Sequence, residues 1–229
     1  MRYILVIIFL FCAGCRYSRV KMPEFRPAHS KKIAIKLKDT LGVMTMYIPE
    51  RFDTGFAWLH YSDCWPCNEM KCRFQPKSIP IKMEQGYLWT HPTDSVDQLT
   101  IIYQPYDRLY DRPLRKGGHF DTTGMYEKNS LYRDERENIK FWPPALKCIL
   151  LDTTYKIYDR PLYVFGTCEY DPGTKRYTYL LKAETFARIS QIKFECKMIT
   201  DKQDSISTHF INDAADFLRT IRFSIPSFQ

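Results

Sequence analysis

Two cysteines separated by two residues, Cys64-Trp65-Pro66-Cys67, are the side chains in this 229-residue chain best spaced for redox chemistry. Such a pair cycles between dithiol and disulfide when a helix N-terminus lowers the first thiol's pKa and makes it nucleophilic. Three neighbours weigh against that chemistry. Asp63 sits beside Cys64 and would raise its pKa, Pro76 leaves room for at most two helical turns after Cys67, and Cys72 is a third thiol able to lock the pair. His60, Cys64, Cys67 and Cys72 also fall within thirteen residues, a donor set that zinc accepts. Thiolate sites compete poorly with oxidation outside the cytoplasm, so no metal is expected. We read Cys64, Cys67 and Cys72 as a loop stapled by a disulfide, with a thiol-disulfide oxidoreductase acting through Cys64 and Cys67 as the alternative.

The remaining chemistry-bearing residues are scattered. Gly117-Gly118-His119-Phe120-Asp121 puts a histidine and a carboxylate on a glycine-rich stretch, which reads as a surface turn. Asp152 and Glu184 lie beside strand-like runs with no partner visible in sequence. There is no serine elbow, phosphate loop or paired metal-binding histidines. We therefore expect no catalytic residues and no cofactor, and a binding function in place of an enzymatic one.

An address is easier to read than an activity. Met1 and Arg2 precede an apolar run from Tyr3 to Phe11, which Cys12-Ala13-Gly14-Cys15 closes. This has the n-region, h-region and small-residue cleavage site of an export signal, and it is shorter than the roughly 20 residues of a membrane-spanning helix. Ala13, Gly14 and Cys15 resemble the end of a bacterial lipoprotein signal, although Cys12 stands where leucine is commonest. The resemblance implies that residues 1–14 are removed and that Cys15 carries the lipid, tethering the chain to a membrane of the bacterial cell envelope. Arg16 follows Cys15 where an aspartate retains some lipoproteins at the inner membrane, which favours the outer membrane. A conventional secretory signal cut near Gly14 is the competing reading.

Charge and composition fit that placement. Of the formal net charge of +8, much is crowded near the start, at Arg16, Arg19, Lys21, Arg26, Lys31, Lys32, Lys36 and Lys38. An exported, lipidated chain does not meet nucleic acid, so the basic arm points to anionic headgroups, each residue contributing about 1 kcal/mol at such a surface, or to a solvated tether. The chain is 45% hydrophobic and 15% aromatic, which excludes a disordered protein and, with abundant Tyr and Phe, favours sheet. We expect a signal peptide at 1–14, a lipidated basic tether at 15–32 and one globular domain at 33–229. With Cys12 lost and Cys15 lipidated, six cysteines remain, Cys64, Cys67, Cys72, Cys148, Cys168 and Cys196; they allow fifteen pairings, among which spacing does not choose.

The elements follow from periodicity. Ile33, Ile35 and Leu37 alternate with polar or small residues, and Val43 to Ile48 pairs back across Leu41-Gly42 as a hairpin ended by Pro49. Phe56–Tyr61 and Gln98–Gln104 are further strands, with long loops between them where Pro66, Pro76, Pro80 and Pro92 intervene. Tyr110-Asp111-Arg112-Pro113-Leu114 recurs as Tyr158-Asp159-Arg160-Pro161-Leu162, and both read as turns. A short exposed helix is expected over Asn129–Phe141. Leu146–Leu151, Tyr155–Tyr158 and Leu162–Cys168 are strands; Asp171-Pro172-Gly173-Thr174 suits a type II turn, with Arg176–Leu181 pairing back. Ile192, Phe194, Cys196 and Met198 share one face of a half-buried strand. Thr208 caps a closing helix with apolar positions Phe210, Ile211, Ala214, Ala215, Phe217, Leu218 and Ile221, which must lie on a sheet.

That order, an early hairpin ending Tyr47-Ile48-Pro49 before Phe52, a late meander and a closing helix running into Ile221-Arg222-Phe223-Ser224, resembles the PsbP/Mog1 type of α/β/α sandwich and small lipoproteins of gliding bacteria. The resemblance implies an α+β fold, an antiparallel sheet covered by helices, and an accessory role in membrane complexes without catalytic residues. The sequence reading is thus a lipid-anchored envelope protein that binds a protein or envelope partner, with Trp65, Trp89 and Trp142 as candidate contact residues.

Overall fold

The computed structural model of the chain describes residues 25–38, 41–61, 68–81, 95–104, 132–157, 160–187 and 190–224. Two antiparallel sheets organise it. Strands β1 (Ser30–Lys36) and β2 (Val43–Pro49) form the expected hairpin, in register from Ser30 opposite Pro49 to Lys36 opposite Val43, and the short C-terminal β10 (Arg222–Ser224) pairs on the other side of β2. The connection uses Gly42 at a positive φ of 83°, where a side chain would be strained. β1 begins at Ser30, which is buried, three residues ahead of the first alternating apolar position.

The second sheet has seven strands in the order β3-β4-β5-β9-β8-β7-β6: β3 Thr54–His60, β4 Glu69–Gln75, β5 Val96–Tyr103, β6 Lys147–Ile157, β7 Arg160–Asp171, β8 Arg176–Ala187 and β9 Ser190–Thr200. Adjacent-in-sequence strands β6 to β9 make a meander, and β5 then docks on β9 to join the β3-β4 hairpin. β4 occupies a stretch expected to be loop. Its Met70, Cys72 and Phe74 alternate with Glu69, Lys71, Arg73 and Gln75, a strand pattern that the nearby prolines and cysteines obscure. Leu146–Leu151 and Tyr155–Tyr158 are not two strands either; one long β6 absorbs most of both, with a register shift between Ile149 and Leu151.

Turn and cap chemistry differ from expectation in two places. The Asp171 turn is not type II: Gly173 keeps an ordinary φ, Lys175 takes the left-handed position at φ 56°, and the Asp171 carboxylate accepts hydrogen bonds from Gly173 N–H at 2.9 Å and Thr174 Oγ1 at 2.8 Å. In the second copy of the repeated pentapeptide, Arg160, Pro161 and Leu162 already belong to β7; the first copy lies outside the described residues.

Two helices complete the fold, which is sheet-dominated. Helix α1 (Arg133–Ile139) lies within the expected segment, and helix α2 (Ser205–Arg219) is the closing amphipathic helix. α2 starts three residues before Thr208. Asp204 is the N-cap, accepting from Ser207 N–H at 2.9 Å, while Ser207 Oγ accepts from Asp204 N–H at 3.0 Å. These reciprocal bonds satisfy donors that a helix start leaves orphaned. The bond from the Ser207 backbone holds the Asp204 carboxyl below its ordinary 3.8. A carboxylate depressed in the folded state stabilises above its unfolded pKa, and that contribution disappears as pH falls through the folded value. Asp204→Ala is therefore expected to lower the thermal midpoint at pH 7, with the gap to wild type closing in titrations carried below pH 3.8.

The core lies between α2 and one face of the large sheet. Phe210, Ile211, Ala214, Ala215 and Leu218 of α2 pack with Leu99, Ile101, Leu181, Val164 and Phe194, in a cluster that also takes in Met44, Met46 and Ile48 of β2. The expected alternation in β9 is present, with Ile192, Phe194, Cys196 and Met198 buried. α1 covers the opposite face: Tyr132 stacks on Phe165 at 5.3 Å, and Arg136 binds Asp152 through two bonds of 2.6 and 2.8 Å. Asp152 thus has a partner after all. So does Glu184, which accepts a hydrogen bond from Gln191 Nε2.

Candidate functional site

The structure separates two members of the sequence-derived cysteine cluster. Cys72 lies on β4 opposite Ala57 and Ile101, facing the α2 side, whereas His60 lies at the end of β3 opposite Glu69. Side chains alternate faces along a strand, so His60 and Cys72 point to opposite sides of the sheet and do not share a coordination sphere. Cys64 and Cys67, like Cys15, lie outside the described residues, as do Gly117–Asp121, Trp65 and Trp89. Among the described residues no three or more His, Cys, Asp or Glu side chains converge on a point, and no helix is long and apolar enough to cross a membrane.

Burial pushes the Cys72 thiol up from 9.0 to about 11, and it pushes the Cys196 thiol higher still. A thiol is reactive as its thiolate, and two pKa units mean roughly 100-fold less of it at pH 8. Iodoacetamide is therefore expected to modify Cys72 in the folded chain at least about 100-fold more slowly than in the urea-unfolded chain. Equal rates would show that the fold does not shield the Cys72 thiol.

A cleft of about 590 Å³ lies beside α2, bounded on its other side by the segment Phe25–His29. Its construction follows from the packing of the helix. The inner stripe of α2 is committed to the sheet, and Gly166 of β7 lets it come close: a Cβ there would meet Ile211 Cγ2 at 2.6 Å. The flank of the helix is left to line the cleft with Ile206, His209, Asp213 and Phe217. Ile206 is 54% exposed although apolar. Next to the cleft lies an apolar pocket whose walls include Met46, Phe52, Leu99 and Phe210, and Ile206 and Phe217 border both.

The rim is polar and held in place. Arg51 is fixed by Asp97 at 2.6 Å, Arg219 by Asp216 at 3.0 Å, and Arg26 donates to the Ser30 carbonyl at 3.1 Å. His209 Nδ1 lies 2.8 Å from the Ser205 carbonyl, and Arg219 sits over the Phe25 ring at 5.9 Å. The lining sets apolar Phe25, Ile206 and Phe217 beside charged Arg26, Arg51, Asp213 and Asp216, which suits an apolar group that carries a polar end. Other exposed apolar residues are Phe141 at 85% and Trp142 at 50%, after α1, and Ile149 and Leu150 on the edge strand β6. Of the three tryptophans proposed as contacts, Trp142 is the one among the described residues, and it is indeed at the surface.

Sequence reading missed the cleft because Phe217 looked like part of the buried stripe and Ile206 fell before the expected helix start. A capping box at Asp204-Ser207 was the available signal, since it places Ile206 on the first turn.

No protein-family model matches the chain, and no curated protein matches its sequence. Among solved structures the chain is similar to LpqN of Mycobacterium tuberculosis, described as involved in cell envelope biogenesis, with 9% identity, a TM-score of 0.38, and coverage of 89% of this chain and 99% of that one. The likeness is too distant to carry a ligand, partner or activity across.

Proposed function

We propose that the protein is an exported, lipid-anchored component of the bacterial cell envelope that acts as a non-catalytic binding or assembly module. The observation that carries this reading is where the tether meets the domain: the segment Phe25–His29 forms one wall of the cleft beside α2. Nine residues, and so ten residue-to-residue steps, separate Cys15 from Phe25, and a fully extended chain spans about 3.3–3.6 Å per step. With Cys15 acylated, the cleft is held within roughly 35 Å of the bilayer surface, where the basic residues Arg16, Arg19 and Lys21 favour an anionic leaflet. The occupant that fits is a membrane-resident partner offering an apolar side chain or acyl group next to a charge. The order of elements, similar to PsbP/Mog1-like accessory domains, supports an assembly role of the same kind.

A photo-crosslinking residue at Ile206, compared with one at Lys175 on the β7–β8 turn, tests the reading in intact cells. We expect one envelope species to be captured from position 206 and not from 175, with capture lost in Cys15→Ser. The same adduct from both positions, or none from 206, would overturn it. The double variant Cys64→Ser/Cys67→Ser separates the alternative: a binding module keeps the position-206 adduct, and an oxidoreductase loses disulfide-exchange activity on a thiol substrate.

A further inference from the structure

Cys148 and Cys168 are far apart in the reading of the sequence and adjacent in the fold. Residue 148 of β6 is the direct cross-strand partner of residue 168 of β7. Registered partners in an antiparallel pair project on the same side of the sheet, so both thiols lie on the α2 side, in a row continued by Tyr179 of β8. Two contacts just beyond the pair hold this register at that end: Lys147 pairs with Glu169 at 2.7 Å, and Tyr170 N–H donates to the Leu146 carbonyl at 2.7 Å. Both cysteines are half-buried thiols without a bridge.

The spacing suits a covalent link. Directly opposed residues in antiparallel strands have Cα atoms about 4.5–5.5 Å apart, inside the roughly 4.4–6.8 Å range of disulfides. Their Cβ atoms stand about 4.5–5.5 Å apart against the roughly 3.5–4.5 Å a bridge requires, so closure needs an approach of up to about 1 Å. β6 is able to give it. It is the edge strand of the sheet, and its register already shifts between Ile149 and Leu151, beginning at the residue after Cys148.

We propose that Cys148 and Cys168 form a reversible cross-strand disulfide that locks the outer edge of the seven-stranded sheet. The oxidant is a disulfide, either of a thiol-oxidising protein or of a small molecule. The Cys148 thiolate, on the edge strand, attacks one sulfur of R–S–S–R, releasing a first RSH and leaving Cys148–S–S–R. Cys168 then gives up its proton and attacks the Cys148 sulfur, releasing a second RSH. Two protein thiols are oxidised to one S–S bond, and the incoming disulfide is reduced to two thiols. Burial, which holds the Cys168 thiol up at about 11, makes it the slower nucleophile and suits it to the second, intramolecular step. The strand movement required makes the closed bridge more reducible than an unstrained one. Its closure pins the strand that carries the exposed Ile149 and Leu150. The proposal does not depend on the lipid anchor or on the cleft.

The test uses the full chain, reduced, desalted, incubated with oxidised glutathione, quenched in acid, alkylated with N-ethylmaleimide and digested with trypsin. The expected product is peptide 148–156 joined to peptide 157–175, two hydrogens lighter than the pair of reduced peptides, and separated by dithiothreitol. Cys148→Ser and Cys168→Ser are each expected to abolish it. The wild-type map is decisive without either variant. Recovery of both cysteines alkylated or carrying glutathione, or of Cys168 joined to any other cysteine, would overturn the pairing.

Discussion

Gly166→Ala is expected to destabilise the protein by roughly 1–3 kcal/mol, the usual cost of forcing a methyl group into a packed core. The reason is local and specific. The added Cβ would stand 2.6 Å from Ile211 Cγ2 and 3.3 Å from the Leu151 Cβ, so α2 must lift from β7 or Ile211 must leave its rotamer. Lifting the helix would also disturb Phe210 and Leu218, which are buried against the same sheet, and would widen the cleft that the flank of α2 lines. Ile211→Ala alone should cost about 2–5 kcal/mol through the cavity it leaves. In the double variant the new methyl at 166 occupies part of that cavity, so the two costs should fall short of their sum, with a coupling of about 0.5–3 kcal/mol between contacting positions. Urea unfolding of the four proteins measures this directly. Strict additivity would show that α2 does not rest on Gly166.

Cys15→Ser is expected to have the largest effect on behaviour in the cell, moving the chain from the membrane fraction to the soluble or unprocessed fraction. The thioether to a diacylglyceryl group needs sulfur as its nucleophile, and a serine hydroxyl does not replace it. Each acyl methylene contributes about 0.8 kcal/mol of membrane affinity, so losing the acyl chains removes more binding than the basic residues after Cys15 supply at about 1 kcal/mol each. Intact mass of membrane-extracted wild type should begin at Cys15 and include acyl groups. A wild-type chain cut near Gly14 with an unmodified Cys15 would remove the anchor from the proposed function and leave the cleft to be tested by itself.

Legibility of the fold tracked the length of each local signal. The β1-β2 hairpin, the alternation Ile192-Phe194-Cys196-Met198 and the amphipathic α2 were readable because a buried face repeats every second residue in a strand and every three to four in a helix. Boundaries were less readable. Thr208 looked like a cap, yet Asp204 holds that place because its side chain reaches the Ser207 N–H, a choice decided by backbone geometry. The type II turn expected at Pro172-Gly173 gave way to a left-handed Lys175, since the turn must match the twist of the two long strands it joins.

Local pattern was enough for a sheet-rich fold and for the type of most elements, because each is encoded in residues close together in the chain. The partners of Asp152 and Glu184, the separation of His60 from Cys72, the cleft between α2 and Phe25–His29 and the meeting of Cys148 with Cys168 were decided only by the tertiary structure. Strand order and register set those distances, and they come from burying one continuous core, a sum over contacts that no single segment contains.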